Sequence, residues 1–203
     1  MKTAVLFGAR QSFGFELCSV LLEKGYEVFA IDHQDWITDQ QEENWLLIGR
    51  NANVRYRELS NEKEFIHQTL MEEECLYIIP TIDYFNRCNT NVREQLLAQL
   101  QGFLEHKNIK ECLLLIHPHA TERKQSSFAG KLVTLIELLK QMHHVQEFCL
   151  SDILCEEKTS APENETWDNT GENMVALDKG YISNATKKVL RYMEQKKLLE
   201  NDS

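Results

Sequence analysis

Apolar residues follow two rhythms that alternate along this chain. Ala4-Val5-Leu6-Phe7 is an unbroken apolar run closed by Gly8, the pattern of a strand buried on both faces. From Phe13 to Lys24 the apolar positions are Phe13, Leu17, Val20, Leu21 and Leu22, the spacing of a helix face, with Gly25 as a C-terminal stop. Tyr26 to Ile31 reads as a second strand that ends in Asp32. A polar stretch from His33 to Asn53 carries Trp36 and Trp45 and leaves room for a short helix near Glu42 to Ile48. Val54 to Leu59 reads as a third strand, and Ser60 caps an expected helix over Asn61 to Glu73. Leu76 to Ile79 is a fourth strand, stopped by Pro80. Asn91 to His106 is an amphipathic helix with Val92, Leu96, Leu97, Leu100, Phe103 and Leu104 on one side. A fifth strand over Cys112 to Ile116, a helix over Ser126 to Met142 and a sixth strand over Val145 to Leu150 continue the alternation. Residues 156–173 are polar and read as a loop or insert. Ile182 to Leu199 reads as a closing helix capped by Ser183.

Strands alternating with helices of this length predict an α/β fold: a doubly wound parallel sheet of about six strands with helices on both faces. The expected strand order is 3-2-1-4-5-6, the Rossmann-like arrangement, over residues 1–203 as a single domain.

Composition narrows the function. Apolar residues make up 42% and charged residues 27%, which suits a globular chain of 203 residues with one core. A net charge of -10 argues against a nucleic-acid grip, which needs a basic face. No apolar run reaches the ~20 residues of a membrane span, and no signal-peptide pattern opens the chain, so a cytoplasmic location is expected. The six cysteines (Cys18, Cys75, Cys88, Cys112, Cys149 and Cys155) show no CxxC spacing and read as small reduced hydrophobes. His143 and His144 are adjacent, point apart on a helix end and have no acid or thiol cluster nearby, so no metal site is expected. Trp36, Trp45 and Trp167 either pack loops or present partner anchors.

The chemistry concentrates in the first loop, Gly8-Ala9-Arg10-Gln11-Ser12-Phe13-Gly14. It follows a strand and opens a helix, which is the context a phosphate-binding turn requires. Glycines allow a tight turn and close helix packing, and the helix N-terminus offers N–H groups to an anion. Asp32, 24 residues after Gly8, is placed to accept hydrogen bonds from an adenosine ribose and favours NAD. Arg10 pulls toward NADP, since it could meet a 2′-phosphate. The alternative is a plain strand-to-helix turn that binds nothing.

Residues 2–32 resemble the start of short-chain dehydrogenases/reductases and their epimerase-like relatives, which carry Gly-x-x-x-Gly-x-Gly after the first strand. Gly8, Ser12 and Gly14 fill the three places, so the middle one departs from the pattern. The layout resembles that family over about 180 residues, through Glu58-Leu59, the 91–116 segment and Tyr181-Ile182-Ser183 before Val189-Leu190. The resemblance implies a dinucleotide, NAD or NADP, held by Gly8, Arg10, Ser12, Phe13, Gly14, Asp32, Glu58 and Leu59. It also implies a homodimer through the helices at 91–106 and 126–142. The family's catalytic serine and Tyr-x-x-x-Lys are not matched. His117-Pro118-His119 follows the fifth strand, and Ser127 stands four before Lys131. The pair Tyr192 and Lys196 has the right spacing but lies past every strand, a coincidence. Candidate catalytic residues are therefore Lys131, Ser127 and His117, with His119 and Tyr84 as further groups near the strand ends. For the histidines the alternative is an exposed loop, and for Tyr84 it is packing.

Three functions remain open at this level. One is a dinucleotide-binding protein with a degenerate active site and a binding or regulatory role toward an unidentified small molecule or protein partner. Another is an active oxidoreductase or epimerase with a rearranged acid/base. The last is an interaction protein whose turn is filled by its own side chains, such as Phe13 or Arg10.

Overall fold

A computed structural model describes residues 3–59, 75–85, 90–105, 112–118, 127–150 and 179–196. Its six strands form one parallel sheet: β1 (Thr3–Phe7), β2 (Glu27–His33), β3 (Val54–Leu59), β4 (Leu76–Pro80), β5 (Cys112–His117) and β6 (His144–Cys149). The order across the sheet is β3-β2-β1-β4-β5-β6, as the alternation predicts. All five pairings are parallel, with Val5 opposite Phe29 on one side and Tyr77 on the other.

The residues of β1 and β4 are buried throughout, because helices cover both faces of the central strands. Side-chain alternation then divides the core in two. Ala4, Leu6, Ile78, Leu114 and Ile116 face Leu17, Leu21, Val189 and Met193 of α1 (Ser12–Glu23) and of the closing helix (Lys179–Gln195). Val5, Phe7, Tyr77, Ile79, Leu113 and Leu115 face two helices, Thr90–Glu105 and Ser127–Leu139, through Leu96, Leu100, Phe103, Leu132 and Ile136. Burying each such leucine stabilises the fold by roughly 1.5–3 kcal/mol.

Local details depart from the sequence expectation. The polar stretch after β2 forms a 3-10 turn over Gln34–Trp36 and then α2 (Asp39–Trp45). The Thr38 hydroxyl accepts from the Gln41 N–H, and the Gln41 side chain accepts from the Thr38 N–H. This capping box starts the helix three residues earlier than the apolar pattern does. A short helix, α3 (Thr81–Phe85), follows β4 directly. The two long helices are then α4 (Thr90–Glu105) and α5 (Ser127–Leu139), and the closing helix is α6 (Lys179–Gln195). Ser183 therefore lies inside α6 and is not its cap. Trp36 and Trp45 are buried and pack loops. The expected helix at 61–73, the polar insert at 156–173, Trp167, Cys88 and Cys155 lie outside the described residues. Among the described residues the cysteines are free thiols, no group of three or more His, Cys, Asp or Glu could hold a metal, and no helix is long and apolar enough to cross a membrane.

Candidate functional site

The first turn is built by its glycines. Gly8 has φ of 68°, a left-handed conformation that glycine adopts without a Cβ clash. A Cβ on Gly14 would lie 2.0 Å from the Gly8 carbonyl oxygen, so only glycine lets α1 pack this closely on the turn. Both demands come from the backbone itself. A dinucleotide-binding turn meets them, and so does a turn that binds nothing.

Two carboxylates serve the N–H groups around this turn. Asp32, within β2 and fully buried, accepts from the Arg10 N–H with both oxygens at 3.2 Å. Asp83, on α3, accepts from the Phe13 N–H at 3.2 Å and from the Gly14 N–H at 3.0 Å. Gln11, the N-cap of α1, gives no side-chain cap, so Asp83 satisfies these donors from another part of the fold. Burial pushes the Asp32 carboxyl up to about 8 and the Asp83 carboxyl up to about 7, against the opposing pull of these hydrogen bonds.

The segment between β2 and β3 lies over the same turn. Trp36 stands 3.4 Å from where a Gly8 Cβ would be. Gln11 Nε2 donates to the Trp36 carbonyl at 3.2 Å, and Gln41 Nε2 donates to Gln11 Oε1 at 2.7 Å. The Arg10 guanidinium lies over the Tyr56 ring at 4.0 Å and near the Trp45 ring at 5.3 Å, with Glu42 at 3.9 Å. Its buried Nε has no hydrogen-bond partner. Phe13 places its ring in the core and offers the turn only its N–H. Ser12 is exposed. Leu59 is buried, while Glu58 is exposed and accepts from the Tyr56 hydroxyl.

The candidate acid/base residues do not converge. His117 ends β5 and is buried, so the exposed-loop alternative fails for it. Its Nδ1 is 2.8 Å from the Thr81 hydroxyl and its Nε2 is 3.0 Å from Glu147 Oε2. The Thr81 hydroxyl donates to the Ile116 carbonyl at 2.9 Å. Both ring nitrogens of His117 are thus engaged, one by Thr81 and one by Glu147. The hydrogen bond from His117, aided by Lys140 at 2.6 Å, holds the Glu147 carboxyl down to about 2. Lys131 points away from this clamp, exposed on α5 and paired with Glu94 of α4 at 2.8 Å. Ser127, at the start of α5, is exposed. Tyr84 is fully buried, 3.2 Å from His33 Nε2 and packed on Trp36 at 4.5 Å between ring centres. Burial pushes the His33 imidazole down to about 4, so it is neutral near pH 7. Tyr192 donates to Gln146 from the outer helix α6. His119 lies outside the described residues.

Sequence reasoning passed over Thr81, Asp83 and Glu147. Asp83 was detectable as an acid three residues past a buried strand. Glu147 was detectable as an acid within the sixth strand, beside Val145 and Phe148.

Comparison with known proteins places this geometry. No family model matches the chain, and no curated protein does. Solved structures do match. A short-chain dehydrogenase/reductase from Burkholderia phymatum, in complex with NAD, superposes with a TM-score of 0.53 at 12% identity, over 96% of this chain and 86% of that one. A short-chain dehydrogenase/reductase from Vibrio parahaemolyticus gives 0.52 at 10% identity, over 93% and 89%. The fold is short-chain dehydrogenase/reductase-like. UDP-glucuronic acid 4-epimerase from Bacillus cereus, in complex with NAD, gives 0.50 at 14% identity over 73% of this chain. The chain spans about half that epimerase's length, 54%.

Proposed function

We propose that this chain is a single short-chain dehydrogenase/reductase-like domain that binds an NAD(P)-type dinucleotide and acts through that binding, in a regulatory or partner role, without hydride transfer. The observation that carries the non-catalytic reading is the fate of the acid/base candidates. Lys131 is paired with Glu94 on the outer face, and His117 is committed to Thr81 and Glu147. Proton transfer needs groups that converge within about 3 Å of a common atom, and these diverge. The binding reading is supported by the Gly8 and Gly14 turn at the C-terminal end of β1, the edge where open α/β sheets take ligands. The N–H groups of Phe13 and Gly14 would hold a diphosphate, and Asp32 and Arg10 flank the place a ribose would take. A bound nicotinamide dinucleotide would supply hydride chemistry; this chain's residues would hold it without completing a proton relay.

The experiment is a titration with NADH and NADPH, following nicotinamide fluorescence and thermal midpoint together. Binding to the folded state raises the midpoint by mass action. The expected result is a saturable rise with one nucleotide and no carbonyl-dependent loss of nicotinamide absorbance. Steady loss with a carbonyl panel would restore the oxidoreductase reading. No rise with either nucleotide at millimolar concentration would overturn dinucleotide binding. A second reading would then stand, favoured by Trp36 over Gly8 and by the Asp83 carboxyl against the α1 N-terminus: an interaction scaffold whose turn is filled from within.

A further inference from the structure

We propose that Asp83 is an internal ligand of the α1 N-terminus that competes with the diphosphate of a nucleotide, so that the site opens only when α3 withdraws it. The proposal rests on the dinucleotide reading above. The two carboxylate oxygens of Asp83 take one N–H each, from Phe13 and Gly14. Two oxygens of a phosphate would bind the same pair. An N–H group carries one proton and points at one acceptor, so a phosphate oxygen and an Asp83 oxygen cannot both take it, and nucleotide and Asp83 exclude each other. The anion comes from a residue 70 positions away and is not a local cap. The first turn of α1 contains no acid of its own.

A second observation marks the turn as built for an anion. Arg10, in the same turn, has a side chain only 9% exposed, and its Nε donor is buried without a partner. Buried donors are rarely left unpaired, because each costs about 1–3 kcal/mol. Asp83 does not reach this donor; it engages only Phe13 and Gly14 among the hydrogen bonds described.

The carrier of Asp83 suits a removable part. The helix α3 has five residues. It is held at one end by the Thr81 hydroxyl on the Ile116 carbonyl, and at the other by Arg93 Nε on the Tyr84 carbonyl at 2.9 Å. Between these ends Tyr84 packs on Trp36, which stands over Gly8. Withdrawing Asp83 therefore shifts Tyr84 and loosens Trp36, so the carboxylate and the aromatic cover leave together.

The test compares the wild-type chain with Asp83→Ala and Asp83→Asn. Each is titrated with NADH and NADPH, with inorganic pyrophosphate as competitor, while the amide signals of Phe13 and Gly14 are followed by NMR. Circular dichroism and the thermal midpoint without ligand establish that each variant is folded. Freeing two amides from an internal acceptor is expected to tighten nucleotide binding about tenfold or more in Asp83→Ala. Asp83→Asn keeps the shape and one acceptor oxygen, so an intermediate gain is expected, and it serves alone if Asp83→Ala does not fold. The Phe13 and Gly14 amides should shift on nucleotide addition, and pyrophosphate should displace the nucleotide while shifting the same two amides. Equal affinity in all three proteins would overturn the internal ligand and leave the dinucleotide reading intact. Weaker binding in the variants would also overturn it, by making Asp83 a support for the nucleotide. No binding in any folded protein would overturn the dinucleotide reading and this proposal with it.

Discussion

The carboxylates at the two sides of this sheet behave oppositely. Around the first turn, Asp32 and Asp83 are buried and accept hydrogen bonds from backbone N–H groups, and burial raises their carboxyls to about 8 and about 7. On the edge strand β6, Glu147 is half-buried and meets His117 and Lys140, which lower it to about 2. The residue type is nearly the same, so the difference lies in depth of burial and in the partner. Amide hydrogen bonds offset only part of the desolvation of the deeply buried pair, whereas the hydrogen bond from His117 and the Lys140 cation more than offset the smaller desolvation of Glu147. The first turn therefore holds its acids at a cost, and the far edge gains from its acid.

The largest expected effect tests whether the first turn is set by backbone packing. Gly14→Val would place a Cβ 2.0 Å from the Gly8 carbonyl oxygen, a contact that no side-chain rotation relieves. A loss of roughly 4 kcal/mol is expected, read as a fall in the urea midpoint with unchanged slope. A loss under about 1 kcal/mol would mean that α1 is not packed against the turn as described.

The next effect sharpens the contrast in charge. A carboxyl raised in the folded state binds extra protons between its unfolded and folded values, so it favours folding below the unfolded value. The contribution of Asp32 and Asp83 is thus full below about pH 4 and is lost as pH rises through about 7 and 8. Glu147 has the opposite sign. Its contribution is present above about 4.5 and is lost as pH falls toward about 2. Stability should peak near pH 4–5 and fall by roughly 2–4 kcal/mol by pH 9. Asp32→Asn, followed by denaturant titration at each pH, should flatten the alkaline fall and leave the acid limb unchanged. An unflattened fall would remove Asp32 from the account.

The smallest effect concerns the outer face. Lys131→Ala breaks only an exposed pair with Glu94. A change under about 0.5 kcal/mol is expected, with no change in nucleotide affinity. A marked loss of affinity would place Lys131 in the site and reopen the catalytic reading.

How far the sequence carried these conclusions differs by level. The six strands followed from apolar runs, because burial imposes those periods directly, and their order followed from the regular alternation of strands with helices. The α2 start was also present locally, in Thr38 and Gln41, though the polar stretch around it hid the signal. The glycines of the first turn were legible as a turn but not as a binding site, since the same residues serve packing alone. What fills that turn was not legible. Asp83 reaches Phe13 and Gly14 only because β4 lies beside β1 in the sheet, and His117 meets Glu147 only because β5 lies beside β6. Hydrophobic periodicity is a short-range property that one segment carries by itself, so the chain determined its own elements and layers. Which carboxylate meets an amide and which meets a cation depends on residues tens of positions apart, and only the tertiary structure decided that.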